Sequence, residues 1–196
     1  MCKIQACSKE SHFAAVKKIF RYLVGTKDIG LWYSVKCNLD LVAYTDSDFV
    51  RSELDWKSTS GYCQFLGGCL VSWVSKKQHS VALSTSEAEY VVVGSCAAQV
   101  LWIKHQLHDY YVKLSCVLIL CDNTSAICLT KNLIQHSKTK HIEIRHHFLR
   151  DEVNKNTIAL HFVEIEKQIA DVFTKFLCND RFSFLRRELG LCNPPK

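Results

Sequence analysis

Apolar residues return at three- and four-residue spacing in HFAAVKKIFRYLV, where Phe13, Val16, Ile19, Phe20 and Leu23 share one side. That spacing predicts an amphipathic helix over 12–24 with a basic outer face, and Gly25 followed by the polar TKD ends it. LWYSV then reads as a short strand and 36–39 as a turn. From Asp40 the period changes to two, through DLVAYTDSDF, SGYCQFLGG and LVSWVSKKQ, with Gly67 and Gly68 placed for a tight turn between the last two. An antiparallel three-stranded meander is expected. Ser84 and Ser86 are candidate caps for a long helix whose apolar stripe runs through Ala88, Val92, Ser95, Gln99, Trp102 and Ile103. CVLILCD is a continuous apolar run of strand length, as a buried central strand requires. A short helix over 124–129, a basic polar loop over 135–140, a helix over about 141–154, the strand IALHFV and a final helix over 167–176 follow. The order βββαβααβα describes an α/β fold: a mixed five-stranded sheet, three antiparallel strands and then parallel ones, flanked by helices.

Composition narrows what such a domain does. The 196 residues are 48% hydrophobic, enough for one core, and 25 Lys and Arg against 19 Asp and Glu give a net charge of +6. That balance favours an anionic partner without the dense basic tract of a nucleic-acid arm. The eleven cysteines are odd in number, contain no CxxC and sit in apolar or strand-like settings, so they read as buried thiols of a reducing compartment. Lys3, Lys9, Glu10 and Lys17 interrupt every apolar run near Met1, and no stretch reaches the ~18 apolar residues of a membrane span. A soluble, intracellular protein is expected.

Four acids occupy places where a charge is costly: Asp46 inside the first long strand, Glu89 in the first turns of the long helix, Asp122 at the end of the apolar strand and Asp171 in the last helix. Hard oxygen ligands suit Mg²⁺ or Mn²⁺, and two such ions ~4 Å apart cleave phosphodiesters. Singly, each acid has an ordinary explanation. Asp46 and Asp48 suit a turn, Glu87 and Glu89 a solvated helix face, and Asp171 an exposed position.

Longer stretches carry a family likeness: YTDSDF, KSTSGYCQFLGG, LVSWVSKKQ, SVALSTSEAEY, LCDNTSAI, HSKTKHIEIRHHFLRDEV and ADVFTK. Together they resemble the ribonuclease H segment of copia-type retrotransposon Pol polyproteins, particularly of plants, over about residues 5–191. The resemblance implies a ribonuclease H-like domain over 39–178, preceded over 1–38 by the tail of the reverse transcriptase region and followed over 179–196 by a C-terminal helix and tail. It implies hydrolysis of the RNA strand of RNA:DNA hybrids with two Mg²⁺ or Mn²⁺ ions. By position, Asp46 matches the ligand that bridges both ions, Asp122 the ligand after the fourth strand and Asp171 the late-helix ligand. Glu87 and Glu89 lie about 200° apart around a helix, so one metal pair takes only one of them, and geometry alone leaves a tie. Glu89 is preferred because EAEY resembles the Ala-Glu-Leu of ribonucleases H; Glu87 is the runner-up.

The partners implied are an RNA:DNA hybrid and the reverse transcriptase portion of the polyprotein, with no membrane; oligomeric state is left open, as is the choice among cytoplasm, virus-like particle and nucleus. Lys57, Ser58, Ser60, Asn123 and Thr124 are short donors suited to sugar and phosphate, and Lys138 and Lys140 belong to a cationic surface for the phosphate backbone. His136, His141, His146 and His147 raise zinc as an alternative, although their spacing fits no usual zinc pattern. Trp73 and Trp102 are expected in the core.

Departures from the family lie in loops. Proline is usual where this chain has Leu133, Glu164 and Phe176, glycine where it has Tyr111 and Asn156, and arginine where it has Trp56. The loop before Asp171 lacks the histidine of many cellular ribonucleases H. These losses motivate a second reading, an inactive retroelement remnant that only binds nucleic acid weakly.

Overall fold

The computed structural model describes residues 8–35, 38–50, 55–131 and 143–193. Helix α1 (Glu10–Gly25) leads into a two-residue strand β1 (Gly30–Leu31), and the meander follows as β2 (Leu41–Asp48), β3 (Thr59–Leu66) and β4 (Cys69–Lys77). Helix α2 (Thr85–Asp109), strand β5 (Val117–Cys121), helices α3 (Thr124–Lys131) and α4 (Glu143–Asn154) and strand β6 (Ile158–Phe162) complete the sheet layer. Two 3₁₀ turns (Ile165–Lys167 and Ile169–Phe173), helix α5 (Asn179–Glu188) and strand β7 (Leu191–Cys192) close the described chain.

The sheet order is β4-β3-β2-β5-β6, with β2, β3 and β4 antiparallel and β2, β5 and β6 parallel. The expected mixed five-stranded sheet is present, with β2 at its centre and β5 beside it. Alternation along β2 divides the core into two layers. Leu41 and Ala43 join Tyr90, Val93, Ala97 and Val100 of α2, Ile119 of β5 and Leu149 of α4. On the opposite face Tyr44 meets Cys63, Phe65, Ile169, Leu185 and Leu189, so the 3₁₀ turns and α5 roof that side.

Several expectations are corrected. The helix expected over 167–176 is reduced to the 3₁₀ turn Ile169–Phe173, with a separate 3₁₀ turn, Ile165–Lys167, before it. Gln168 between them is extended (φ −73°, ψ 103°) and its side-chain oxygen accepts the Ala170 N–H at 3.3 Å, so the chain restarts there instead of continuing a helix. The buried line of α2 runs through Cys96, Ala97, Val100 and Ile103, not Ser95, Gln99 and Trp102. Trp102 is therefore 58% exposed on the outer side of the helix, and Trp73 is 51% exposed on the edge strand β4. Cys63, Cys96 and Cys121 are buried as expected, but Cys128, Cys178 and Cys192 are exposed. The strand expected in LWYSV shrinks to β1, which pairs with β7 through Gly30↔Cys192 and Leu31↔Leu191. Helix α1 buries none of its residues, so its apolar stripe lies open.

Helices α2 and α4 end in the same hydrogen-bonded turn. Tyr111 N–H donates to His108 O and Val112 N–H to Leu107 O; Asn156 N–H donates to Val153 O and Thr157 N–H to Glu152 O. Each places a residue in the left-handed region, Tyr111 at φ 63° and Asn156 at φ 56°, where glycine is preferred. After α5 the equivalent position is Gly190, at φ 79°.

Candidate metal centre

The parallel register of β2 and β5 sets Thr45 beside Cys121, so the next residue on each strand, Asp46 and Asp122, emerges at the same end of the sheet. Asp171 reaches that end from the second 3₁₀ turn. Carboxylate oxygens of Asp46, Asp122 and Asp171 lie within 4.8 Å of one another, and Asp122 also meets Glu89 and the Cys121 Sγ within the same span. The two groups share Asp122. Gly61, opposite Asp46 on β3, lets the turn come this close: a Cβ there would lie 2.9 Å from Phe173 Cβ and 3.2 Å from Ala170 O.

Neighbouring donors hold each acid. Thr174 donates its hydroxyl to Asp46 Oδ2. Glu89 Oε1 accepts the Ser47 N–H at 2.8 Å, and the Cys121 thiol lies 3.8 Å from its Oε2. Gln168, fully buried, donates Nε2 to Thr45 O at 2.9 Å and lowers the pKa of Asp122 against its burial. The Glu87 side chain is used otherwise: it accepts the Leu83 N–H at 2.7 Å, while Ser84 Oγ accepts the Glu87 N–H at 3.2 Å, which caps α2. Of the two glutamates, Glu89 faces the other acids.

Burial dominates the electrostatics. It pushes Glu89 up to about 9, helped by the charges of Asp46 and Asp122. Asp46 and Asp122 are raised for the same first reason, against the lowering influence of Lys175. The Lys175 Nζ lies 2.8 Å from Asp171 Oδ1 and 3.4 Å from Asp46 Oδ1, and Arg181 stands 3.5 Å from Asp171 Oδ2. Burial opposes the lysine's charge, but these acids overcome it and raise its pKa. Asp171 Oδ1 is buried, and the Lys175 ammonium is what stands against it.

This donor set fits a hard divalent cation. Four carboxylates converge, the buried Asp46 and Asp171 already draw the Lys175 ammonium between them, and Glu89 resists ionisation until positive charge arrives.

The comparisons with known proteins agree with this architecture. The retrovirus-related Pol polyprotein from transposon RE2 of Arabidopsis thaliana is 36% identical over 187 residues, 95% of this chain and 13% of the relative. The corresponding polyprotein from transposon TNT 1-94 of Nicotiana tabacum is 34% identical over 182 residues, 93% of this chain and 14% of the relative. The chain belongs to the retrovirus-related, copia-type Pol polyprotein family. It spans about an eighth of the length of these Pol relatives. No protein-family model matches the sequence. Among solved structures, LC11-RNase H1, isolated from compost, superposes with a TM-score of 0.53 at 14% identity, covering 69% of this chain and 93% of that one. The Pol segment therefore has the ribonuclease H fold.

The remaining expected site residues of this Pol segment are spread unevenly. Ser58 and Ser60 are buried: Ser58 Oγ accepts the Val50 N–H at 3.3 Å, and Ser60 Oγ accepts from Gln78 Nε2 at 3.0 Å. Asn123 caps α3, its Oδ1 accepting the Ala126 N–H at 3.0 Å, and Thr124 is exposed beside it. Lys57 is partly exposed, next to the exposed Trp56. Lys138, Lys140, His136 and His141 lie outside the described residues, as do the side chains of His146 and His147. Sequence reasoning missed Thr174, Lys175, Gln168 and Gly61. Thr174 and Lys175 had a signal, since they follow Asp171 by three and four positions in ADVFTK, one turn of chain. Gln168 and Gly61 had none, because their roles depend on contacts distant in sequence.

Proposed function

We propose that this Pol segment is a ribonuclease H that hydrolyses the RNA strand of RNA:DNA hybrids, with Mg²⁺ or Mn²⁺ held by Asp46, Glu89, Asp122 and Asp171. The observation that carries this is the pair of ligand groups meeting on Asp122, which bring four buried or half-buried carboxylates to one end of the sheet. Bound there, a pair of ions would supply Lewis acidity toward a phosphodiester and lower the pKa of water. The chain's own contribution is positional. Gln168 ties the turn carrying Asp171 to Thr45 of β2, the Ser47 N–H and the Cys121 thiol orient Glu89, and Thr174 fixes Asp46. The basic balance of the chain favours a polyanionic substrate. Thr124, exposed beside Asp122, and Lys57 are the described candidates for sugar and phosphate contacts. In the polyprotein setting, the reverse transcriptase portion presents the hybrid, and the reaction belongs inside the cell.

One observation favours the second reading, a remnant that binds nucleic acid weakly without cutting: Tyr111 and Asn156 hold left-handed positions suited to glycine. Both lie at helix ends and outside the acid cluster, which is why activity is the preferred reading. The deciding experiment incubates the purified chain with a labelled RNA:DNA hybrid and Mg²⁺ or Mn²⁺, beside Asp46→Asn, with single-stranded RNA and duplex DNA as controls. Hybrid-specific cleavage that disappears in Asp46→Asn is the expected result. Salt-sensitive binding without cleavage in either protein would establish the remnant.

A further inference from the structure

Lys175 occupies the space where the acids most need a cation. Its Nζ lies 2.8 Å from Asp171 Oδ1 and 3.4 Å from Asp46 Oδ1, and both partners are almost wholly buried. Each oxygen it faces belongs to the group of carboxylates close enough to share a metal ion. The lysine pairs with both acids through one ammonium, at different distances. The lysine side chain is 37% exposed, and its flexible four-carbon stem has a route into solvent. Thr174, the preceding residue, hydrogen-bonds the other Asp46 oxygen and so anchors the chain beneath the lysine while its head moves.

We propose that Lys175 is a resident counter-ion that neutralises Asp46 and Asp171 in the metal-free protein and must leave them when a divalent cation binds. The proposal rests on the reading above that these acids hold a cation. It makes Lys175 a positioning residue: it keeps buried carboxylates together when no metal is present, and it weakens the affinity for the metal by competing for the same oxygens. Loading the centre also delivers the displaced ammonium to the mouth of the site, where a phosphate would meet it.

The test measures Mn²⁺ binding directly, by calorimetry or by the paramagnetic resonance of free Mn²⁺, on the full chain and on Lys175→Met, Lys175→Arg and Asp171→Asn. Lys175→Met, which keeps the length of the side chain without its charge, is expected to bind Mn²⁺ about tenfold more tightly, equivalent to ~1.4 kcal/mol. Lys175→Arg stays near the parent value, and Asp171→Asn binds more weakly. On the unaltered chain, acetylation of the Lys175 amine, followed by mass spectrometry, is expected to rise severalfold when Mn²⁺ saturates the site. Equal or weaker binding by Lys175→Met overturns the proposal. Should that variant not fold, the labelling decides, and labelling unchanged by Mn²⁺ overturns it. Asp171→Asn binding Mn²⁺ as well as the parent would instead sink the underlying reading of the acids.

Discussion

Gly61→Ala is the smallest change that should disturb the metal centre without altering any of its donors. The added methyl would lie 2.5 Å from Thr174 Cγ2, 2.9 Å from Phe173 Cβ and 3.2 Å from Ala170 O. The Thr174 methyl can turn away only by swinging its hydroxyl off Asp46 Oδ2, and Phe173 Cβ and Ala170 O are fixed to the backbone of the turn that carries Asp171. Ordinary contact begins near 3.4 Å, so the turn must move by about half an ångström to clear Phe173 Cβ. Overpacking of this kind costs about 1–3 kcal/mol, and a chain of this size loses about 2–4 °C in thermal midpoint per kcal/mol. Because Asp171 follows Ala170 directly, the displacement reaches the centre, where a misplacement near 1 Å can cost ~100-fold in rate. Thermal unfolding followed by circular dichroism and hybrid cleavage at saturating Mn²⁺ measure the two effects separately. Gly25→Ala, whose Cβ would meet nothing within 4 Å, should change neither and serves as the control. A Gly61→Ala protein with the parent midpoint and the parent rate would refute the idea that this glycine sets the approach of the turn.

Three further outcomes follow from the same structure. Tyr111→Gly should raise stability by about 0.5–1 kcal/mol in chemical denaturation, since the left-handed turn after α2 disfavours a side chain; Asn156→Gly should gain less, because asparagine tolerates that conformation. Glu89 is raised from 4.5 to about 9 in the metal-free protein, so its contribution to stability is complete below pH ~4.5 and is lost as pH rises through about 9. The thermal midpoint without metal should fall across that window, with Asp46 and Asp122 acting in the same direction, and Mn²⁺ or Glu89→Gln should flatten the decline; a midpoint that rises with pH would contradict this. Asp46→Asn should abolish Mn²⁺-dependent stabilisation as well as cleavage, while the metal-free protein stays folded, because the change removes a buried charge without removing volume.

What the amino-acid pattern revealed, and what it did not, follows from how local each cause is. The meander, β5 and the order of the sheet were legible because alternation and apolar runs report directly on which faces are buried. Asp46 and Asp122 stood out for the same reason, as acids interrupting such runs. The choice between Glu87 and Glu89 could not be made from spacing, although Ser84 three positions before Glu87 already had the form of a helix cap; the structure uses it so. The 3₁₀ path of Ile169–Phe173 was not legible, since it depends on Gln168 reaching across to Thr45, 123 positions away. Trp102 was misplaced because the buried line of α2 past residue 95 runs through Cys96, Ala97, Val100 and Ile103, which leaves the tryptophan on the outer side.

The short ribbon of β1 and β7 has a mechanical consequence. It ties residues 30–31 to residues 191–192, with Trp32 N–H donating to Gly190 O at 3.0 Å as one more link. In a longer polypeptide, tension applied from both sides of this segment would load those few hydrogen bonds before it reached the sheet. The ribbon would yield first, and the strands that carry Asp46 and Asp122 would feel the pull only after it had parted.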